Sequence, residues 1–158
     1  MNLTEPQKDL AALCVFIWTQ HISSDIQMNG ILISCFDSSE GNRIHVLTGV
    51  PAEQVPTAVF DLSQKMQIIP LLVGYMSESW SVIVGDGDTD IDPSEHPDRQ
   101  ACLQLLMETQ YGERATFVWD ILQSSQGLPP KLSDPIVAGP HECLWPQSMF
   151  GDLGTTLN

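Results

Sequence analysis

The stretch from Ala101 to Leu122 limits the fold more than any other part of the chain. It holds two runs, Ala101–Thr109 and Ala115–Leu122, in which large apolar residues recur at every second position: Leu103, Leu105, Met107, then Phe117, Trp119, Ile121. A period of two is that of a strand with one buried face. Between the runs stand Tyr111-Gly112-Glu113, so the pair reads as a hairpin. A three-residue loop at that point sets Leu103, Leu105 and Met107 opposite Ile121, Trp119 and Phe117. That register gathers all six side chains on one face, whereas a slip of one residue scatters them. It leaves Gly112 away from the position where such a loop favours glycine. An apolar sheet face needs a covering layer, and a helix over it is expected.

The first helix is expected from Glu5 to Ser23. Thr4 and Gln7 have the spacing of a capping box, and Pro6 falls in the first turn, where a missing N–H has no partner to lose. Leu10, Leu13, Cys14, Ile17, Trp18 and His21 recur at helical spacing, and Val15 and Phe16 widen the stripe. This predicts burial over most of the circumference. Ile31–Phe36 and Arg43–Leu47 read as a second hairpin. A loop symmetric about Glu40 sets Asp37 opposite Arg43, a favourable cross-strand pair, and Cys35 opposite His45. A second helix follows, from Pro51 or Pro56 to Met66, with Ala52, Val55, Val59, Leu62 and Met66 on one stripe. The next strand spans Leu71 to Val84 with a break near Gly74, placing Met76, Glu78 and Trp80 on one face and Tyr75, Ser77 and Ser79 on the other.

The expected architecture is α+β, in the order α-β-β-α-β-β-β, with a mostly antiparallel sheet and both helices packed on one face. A chain of 158 residues suits a single domain. Residues 1–123 are expected to form it. Residues 124–158 hold five of the 11 prolines and read as an irregular Pro/Gly-rich tail. Within that tail Leu144, Trp145, Met149, Phe150 and Leu153 cluster. Large apolar groups of this kind need a covering surface, so Trp145, Met149, Phe150 and Leu153 are the candidate partner-binding residues, docking on another protein or a second copy.

Charge narrows the function. Six Lys and Arg stand against 20 Asp and Glu, a formal charge of −14. Nucleic acid and anionic membrane surfaces are therefore not expected partners. No apolar run approaches a membrane span, and the N-terminus lacks the cationic start of a signal peptide. The four cysteines, 14, 35, 102 and 143, form no CxxC, consistent with a reducing, cytoplasmic setting. No Walker loop, GxSxG, GxGxxG or HExxH occurs, and no cofactor is expected.

Two constellations have residue types that chemistry could use. Asp86, Asp88, Asp90 and Asp92 alternate as the ligands at the start of a calcium loop do, but the sixth position is Ile91 and the twelfth is Pro97, where glycine and glutamate are needed. Cys35 beside His45, with Asp37 two residues on, has the types of a thiolate nucleophile, its base and an orienting group. These support the alternative of a cation-dependent hydrolase or a Cys/His enzyme. No motif both supplies a nucleophile and stabilises developing charge, so the favoured expectation is a non-catalytic acidic interaction protein. Its partner would present a basic, nucleic-acid-binding surface, which closely spaced carboxylates can occupy because they resemble phosphates electrostatically.

Ser77-Glu78-Ser79-Trp80 followed by Pro93-Ser94-Glu95-His96-Pro97-Asp98-Arg99 resembles a pattern in uncharacterised small proteins of bacteria and bacteriophages. The likeness covers about Met76 to Leu122. It implies a bacterial or phage origin and carries no activity.

Overall fold

The structure is a computed structural model that describes residues 5–23, 30–38, 41–81, 95, 99–123, 127–138 and 148–151. Helix α1 spans Glu5–Ser23, strands β1 and β2 span Ile31–Ser38 and Gly41–Thr48, and a 3-10 turn at Ala52–Gln54 leads into helix α2, Val55–Met66. Strands β3, Leu72–Ser81, β4, Gln100–Thr109, and β5, Arg114–Leu122, follow, with two short strands, β6 at Lys131–Leu132 and β7 at Ile136–Ala138. All strand pairs are antiparallel, in the order β2-β1-β3-β4-β5, and both β6 and β7 pair with β5. The α+β class holds.

The helices lie on opposite faces of the sheet, which corrects the expectation of one. Leu10, Cys14 and Trp18 of α1 pack in one cluster with Ile31, Ile33, Leu72, Met76 and the hairpin residues Leu103, Leu105, Met107, Phe117, Trp119 and Ile121. Val55 and Val59 of α2 pack in another with Leu32, Val73, Tyr75, Leu106, Met149 and Phe150. The reason is visible in the central strands. β1 and β3 carry apolar residues on both faces, Ile31, Ile33, Leu72 and Met76 on one and Leu32, Val73 and Tyr75 on the other, so both faces need cover, as in sheets sandwiched between helices.

The hairpin β4–β5 keeps its apolar face but in a register two residues away from the expected one. Leu103 faces Trp119, Leu105 faces Phe117 and Met107 faces Ala115. An even shift leaves every side chain on its own face, so the cluster survives. Local turn chemistry selects this register. Gly112 N donates to Thr109 O at 3.0 Å, Thr109 N donates to Glu113 O at 2.8 Å, and Gly112 has φ 87°. Gln110-Tyr111-Gly112 is thus a three-residue loop with glycine in its left-handed third position.

β3 runs unbroken through Gly74. A Cβ there would lie 2.8 Å from Leu10 Cδ2 and 3.1 Å from Leu105 Cδ1, so the missing side chain is what lets α1 settle onto the sheet. α1 buries a narrower stripe than its sequence suggests: Gln7, Leu10, Ala11, Cys14 and Trp18 are buried, while Phe16 is 61% exposed. α2 buries Val55, Val59 and Ser63, one residue per turn, with the Ser63 hydroxyl donating to Val59 O at 2.8 Å.

Residues beyond 123 are not merely a tail. β6 and β7 extend the sheet, and the bend between them is pinned to β5: Ser133 N donates to Asp120 O and Asp120 N donates to Ser133 Oγ, each at 2.9 Å.

Candidate interaction surface

The residues singled out for chemistry are not brought together. In β1–β2 the pairing continues to Ser38 opposite Gly41, so Cys35 faces Ile44, His45 faces Ser34, and Asp37 faces Asn42 rather than Arg43. The register differs by one residue from the symmetric loop expected, which turns His45 to the other side of the sheet from Cys35. Cys35 lies on the α1 face, while the His45 ring sits edge-on to Phe36, centroids 5.6 Å apart. Burial pushes the Cys35 thiol up to about 11 and the Cys14 thiol up to about 12. A thiol protonated at neutral pH with no base beside it is a poor nucleophile. The expected pairing of Cys35 with His45 is therefore corrected: the two lie on opposite faces of the sheet.

Asp86, Asp88, Asp90 and Asp92 lie outside the described residues, as do Trp145 and Leu153. Among the described residues no group of three His, Cys, Asp or Glu side chains is placed to hold a metal ion.

Met149 and Phe150 are described, and they are interior: 0% and 1% exposed, inside the α2-side cluster of their own chain. As partner-binding residues they are corrected, because a side chain already buried in its own core offers no surface. What holds them is Glu108, at the end of β4. Its carboxylate is buried, accepts from Arg114 Nε at 2.7 Å, from the Ser148 hydroxyl and from Met149 N at 3.4 Å. Phe150 N in turn donates to Ser148 Oγ at 3.1 Å. A buried carboxylate is tolerable only when its oxygens are occupied in this way.

Among the described residues the β2 edge of the sheet stands open. There β2 pairs with β1 alone, and it carries Ile44, Val46 and Leu47 at 48%, 44% and 41% exposure. Ile44 and Val46 share the face of their partners Cys35 and Ile33, while Leu47 shares the face of Leu32. Apolar groups are thus exposed on both sides of one strand. The opposite edge is managed differently: β6 and β7 are short and are separated by a bend containing Pro135. Short strands, bends and proline discourage further pairing. β2 has eight residues, no proline, and Arg43 as its one Lys, Arg, Asp or Glu. Ser34 Oγ of β1 and His45 Nε2 of β2 are buried and have no hydrogen-bond partner among the described residues.

Sequence reasoning missed this edge because strand order, which makes β2 terminal, is a property of the fold. It missed Glu108 for a related reason, since the partners at Ser148 and Met149 lie forty residues on. The one local signal was a glutamate ending an otherwise apolar strand with an arginine six residues later. Among the described residues no helix is long and apolar enough to cross a membrane. Compared with known proteins, the chain matches no family model, no curated protein and no solved structure.

Proposed function

We propose that this chain is a non-catalytic interaction protein of bacterial or phage origin that captures a partner segment as an added strand along β2. The observation that carries this reading is the β2 edge, unpaired among the described residues, with Ile44, Val46 and Leu47 exposed. In strand addition, main-chain hydrogen bonds to the free edge supply affinity, and alternate side chains on the two faces supply selectivity. Ile44 and Val46 would contact one side of the incoming strand and Leu47 the other.

Charge favours a basic partner. The chain carries −14 overall, yet no Asp or Glu occurs from Gly41 to Ala52. The docking strand itself therefore carries no carboxylate in a chain that is strongly negative overall. A partner segment with an apolar centre and Lys or Arg around it would be steered by that field, and its capture would weaken as salt rises.

The test is selection of a displayed library of random peptides against the wild-type chain and against the double variant Ile44→Lys/Val46→Lys. Both positions are exposed, so the variant should fold, and lysine on an edge strand opposes pairing. The reading expects peptides of alternating pattern enriched in Lys and Arg that bind wild type and lose the variant. Peptides that bind both proteins equally would contradict it.

A further inference from the structure

We propose that the cleft between α1 and residues 129–132 binds a small amphipathic anion, a molecule with a hydrocarbon or ring body and a single carboxylate. The cleft has a volume of about 460 Å³ and mostly apolar walls: Val15 and Trp18 on one side, Pro129, Pro130 and Leu132 on the other. That size lies within the roughly 300–1,000 Å³ of ligand sites, which pair apolar walls with few polar groups.

The walls are preformed. Trp18 is buried, and its indole Nε1 donates to Glu78 Oε1 at 3.0 Å, which fixes the ring. Glu78 is not among the lining residues, and its carboxylate is engaged by that bond. The facing wall begins with two consecutive prolines, whose φ angles are set by their rings. It continues into β6, held to β5 by the pairs Leu122 with Lys131 and Ile121 with Leu132. Little ordering is needed on binding, which is what permits a small ligand to be held.

The polar groups of the lining decide the ligand class. The Thr19 hydroxyl donates back to Val15 O at 2.8 Å and is spent within the helix. Among the described residues Lys131 is the one charged group in the lining, and it makes no ion pair there. Its backbone is fixed in β6, so its charge is tethered beside the cleft instead of on a free loop. An apolar cavity with one ammonium matches an apolar body with one anionic end. The chain's overall −14 does not forbid this, because exposed charges farther than ~8 Å are largely screened at physiological salt.

The experiment is titration calorimetry of the full chain with decanoate, decanol and decyltrimethylammonium, each below its micelle concentration. Variants Lys131→Glu and Thr19→Trp are compared with wild type. Both positions are exposed, so neither change threatens the core, and an unchanged melting curve checks that. The proposal expects saturable 1:1 binding of decanoate, about fivefold weaker for decanol and for Lys131→Glu, the size of an exposed ion pair. Thr19→Trp, which fills the cleft, should lose binding. Absence of saturable decanoate binding overturns the proposal, as does binding unaffected by both variants. Equal affinity for all three ligands overturns the assignment of an anion. Tighter binding of the cationic ligand would show Glu78, not Lys131, to set the preference, and would also overturn it.

Discussion

The Ser148 hydroxyl donates to Oε2 of Glu108, a carboxylate forty residues earlier and almost fully buried at the end of β4. This contact ties the segment at 148–151 to the sheet and seats Met149 and Phe150 beneath α2. Removing one partner of a buried ionic group leaves the other uncompensated. Glu108→Ala should therefore cost about 3 kcal/mol or more, and Ser148→Ala about 1.5 kcal/mol. Deleting residues 148–158 removes two buried side chains worth ~1.5–3 kcal/mol each, so it should destabilise the whole domain. Urea denaturation of the three variants checks the order: deletion and Glu108→Ala well below Ser148→Ala. A deletion that leaves the midpoint unchanged would show that the segment is an appendage.

Gly30 stands where β1 begins, with φ 60°. A Cβ there would fall 2.2 Å from Tyr75 Oη and 2.4 Å from Val50 O. The same two groups are joined by the bond from Tyr75 Oη to Val50 O at 2.6 Å, and Val50 N donates to Gly30 O at 3.1 Å. Gly30→Ala thus combines left-handed backbone strain with a clash against backbone. A loss of more than about 2 kcal/mol is expected, in the range of special backbone positions. Tyr75→Phe in the same background should recover part of it, because it removes the nearest clashing atom. A Gly30→Ala protein as stable as wild type would contradict the geometry.

Ser34 Oγ and His45 Nε2, on directly opposed residues of β1 and β2, are buried with no hydrogen-bond partner among the described residues. An unsatisfied buried polar group costs about 1–3 kcal/mol, so removing it should not hurt. Ser34→Ala is expected to leave stability unchanged or raise it, and His45→Phe to keep the edge-on contact with Phe36. Thermal melts test this. Clear destabilisation by Ser34→Ala would mean that the hydroxyl has a partner.

The cysteines make a pH prediction. Burial raises the Cys35 and Cys14 thiols from 9.0 to about 11 and about 12. A group whose folded value lies above its unfolded one stabilises fully below the unfolded value, and that contribution is lost as pH rises through the folded value. Stability should be insensitive to these thiols below about pH 9 and fall from there toward pH 11–12. At pH 8, alkylation of Cys14 and Cys35 should proceed only through opening of the fold, with a rate that rises with urea. Rapid labelling of Cys35 in the native protein would restore the nucleophile reading.

How far the sequence foretold this fold depended on the range of the forces involved. Periodicity located α1, α2 and the main strands, because amphipathic patterning is local. Faces were legible wherever a whole strand alternated, so Leu103, Leu105, Met107, Phe117 and Trp119 fell together even in a different register. Register itself was not, since it rests on turns: Gly112 in the left-handed position fixed one hairpin, and continued pairing to Ser38 and Gly41 fixed the other. That single residue separated Cys35 from His45. The second apolar face was present in Leu32, Val73 and Tyr75, but reading each strand as half-exposed hid it. The Met149–Phe150 cluster was recognised as needing cover. Which surface covers it was decided by Glu108 and α2, contacts across the fold that no local pattern encodes.

The central claim, that the β2 edge is the recognition element, is tested most directly by amide hydrogen exchange on the full chain. The ligand is a peptide selected from the displayed library, added at saturation. The account predicts that exchange slows by about tenfold or more over residues 41–48, because edge amides become ladder amides, with no comparable change in α1, α2 or residues 129–132. Protection confined to another surface, with residues 41–48 exchanging as in the free chain, would contradict it.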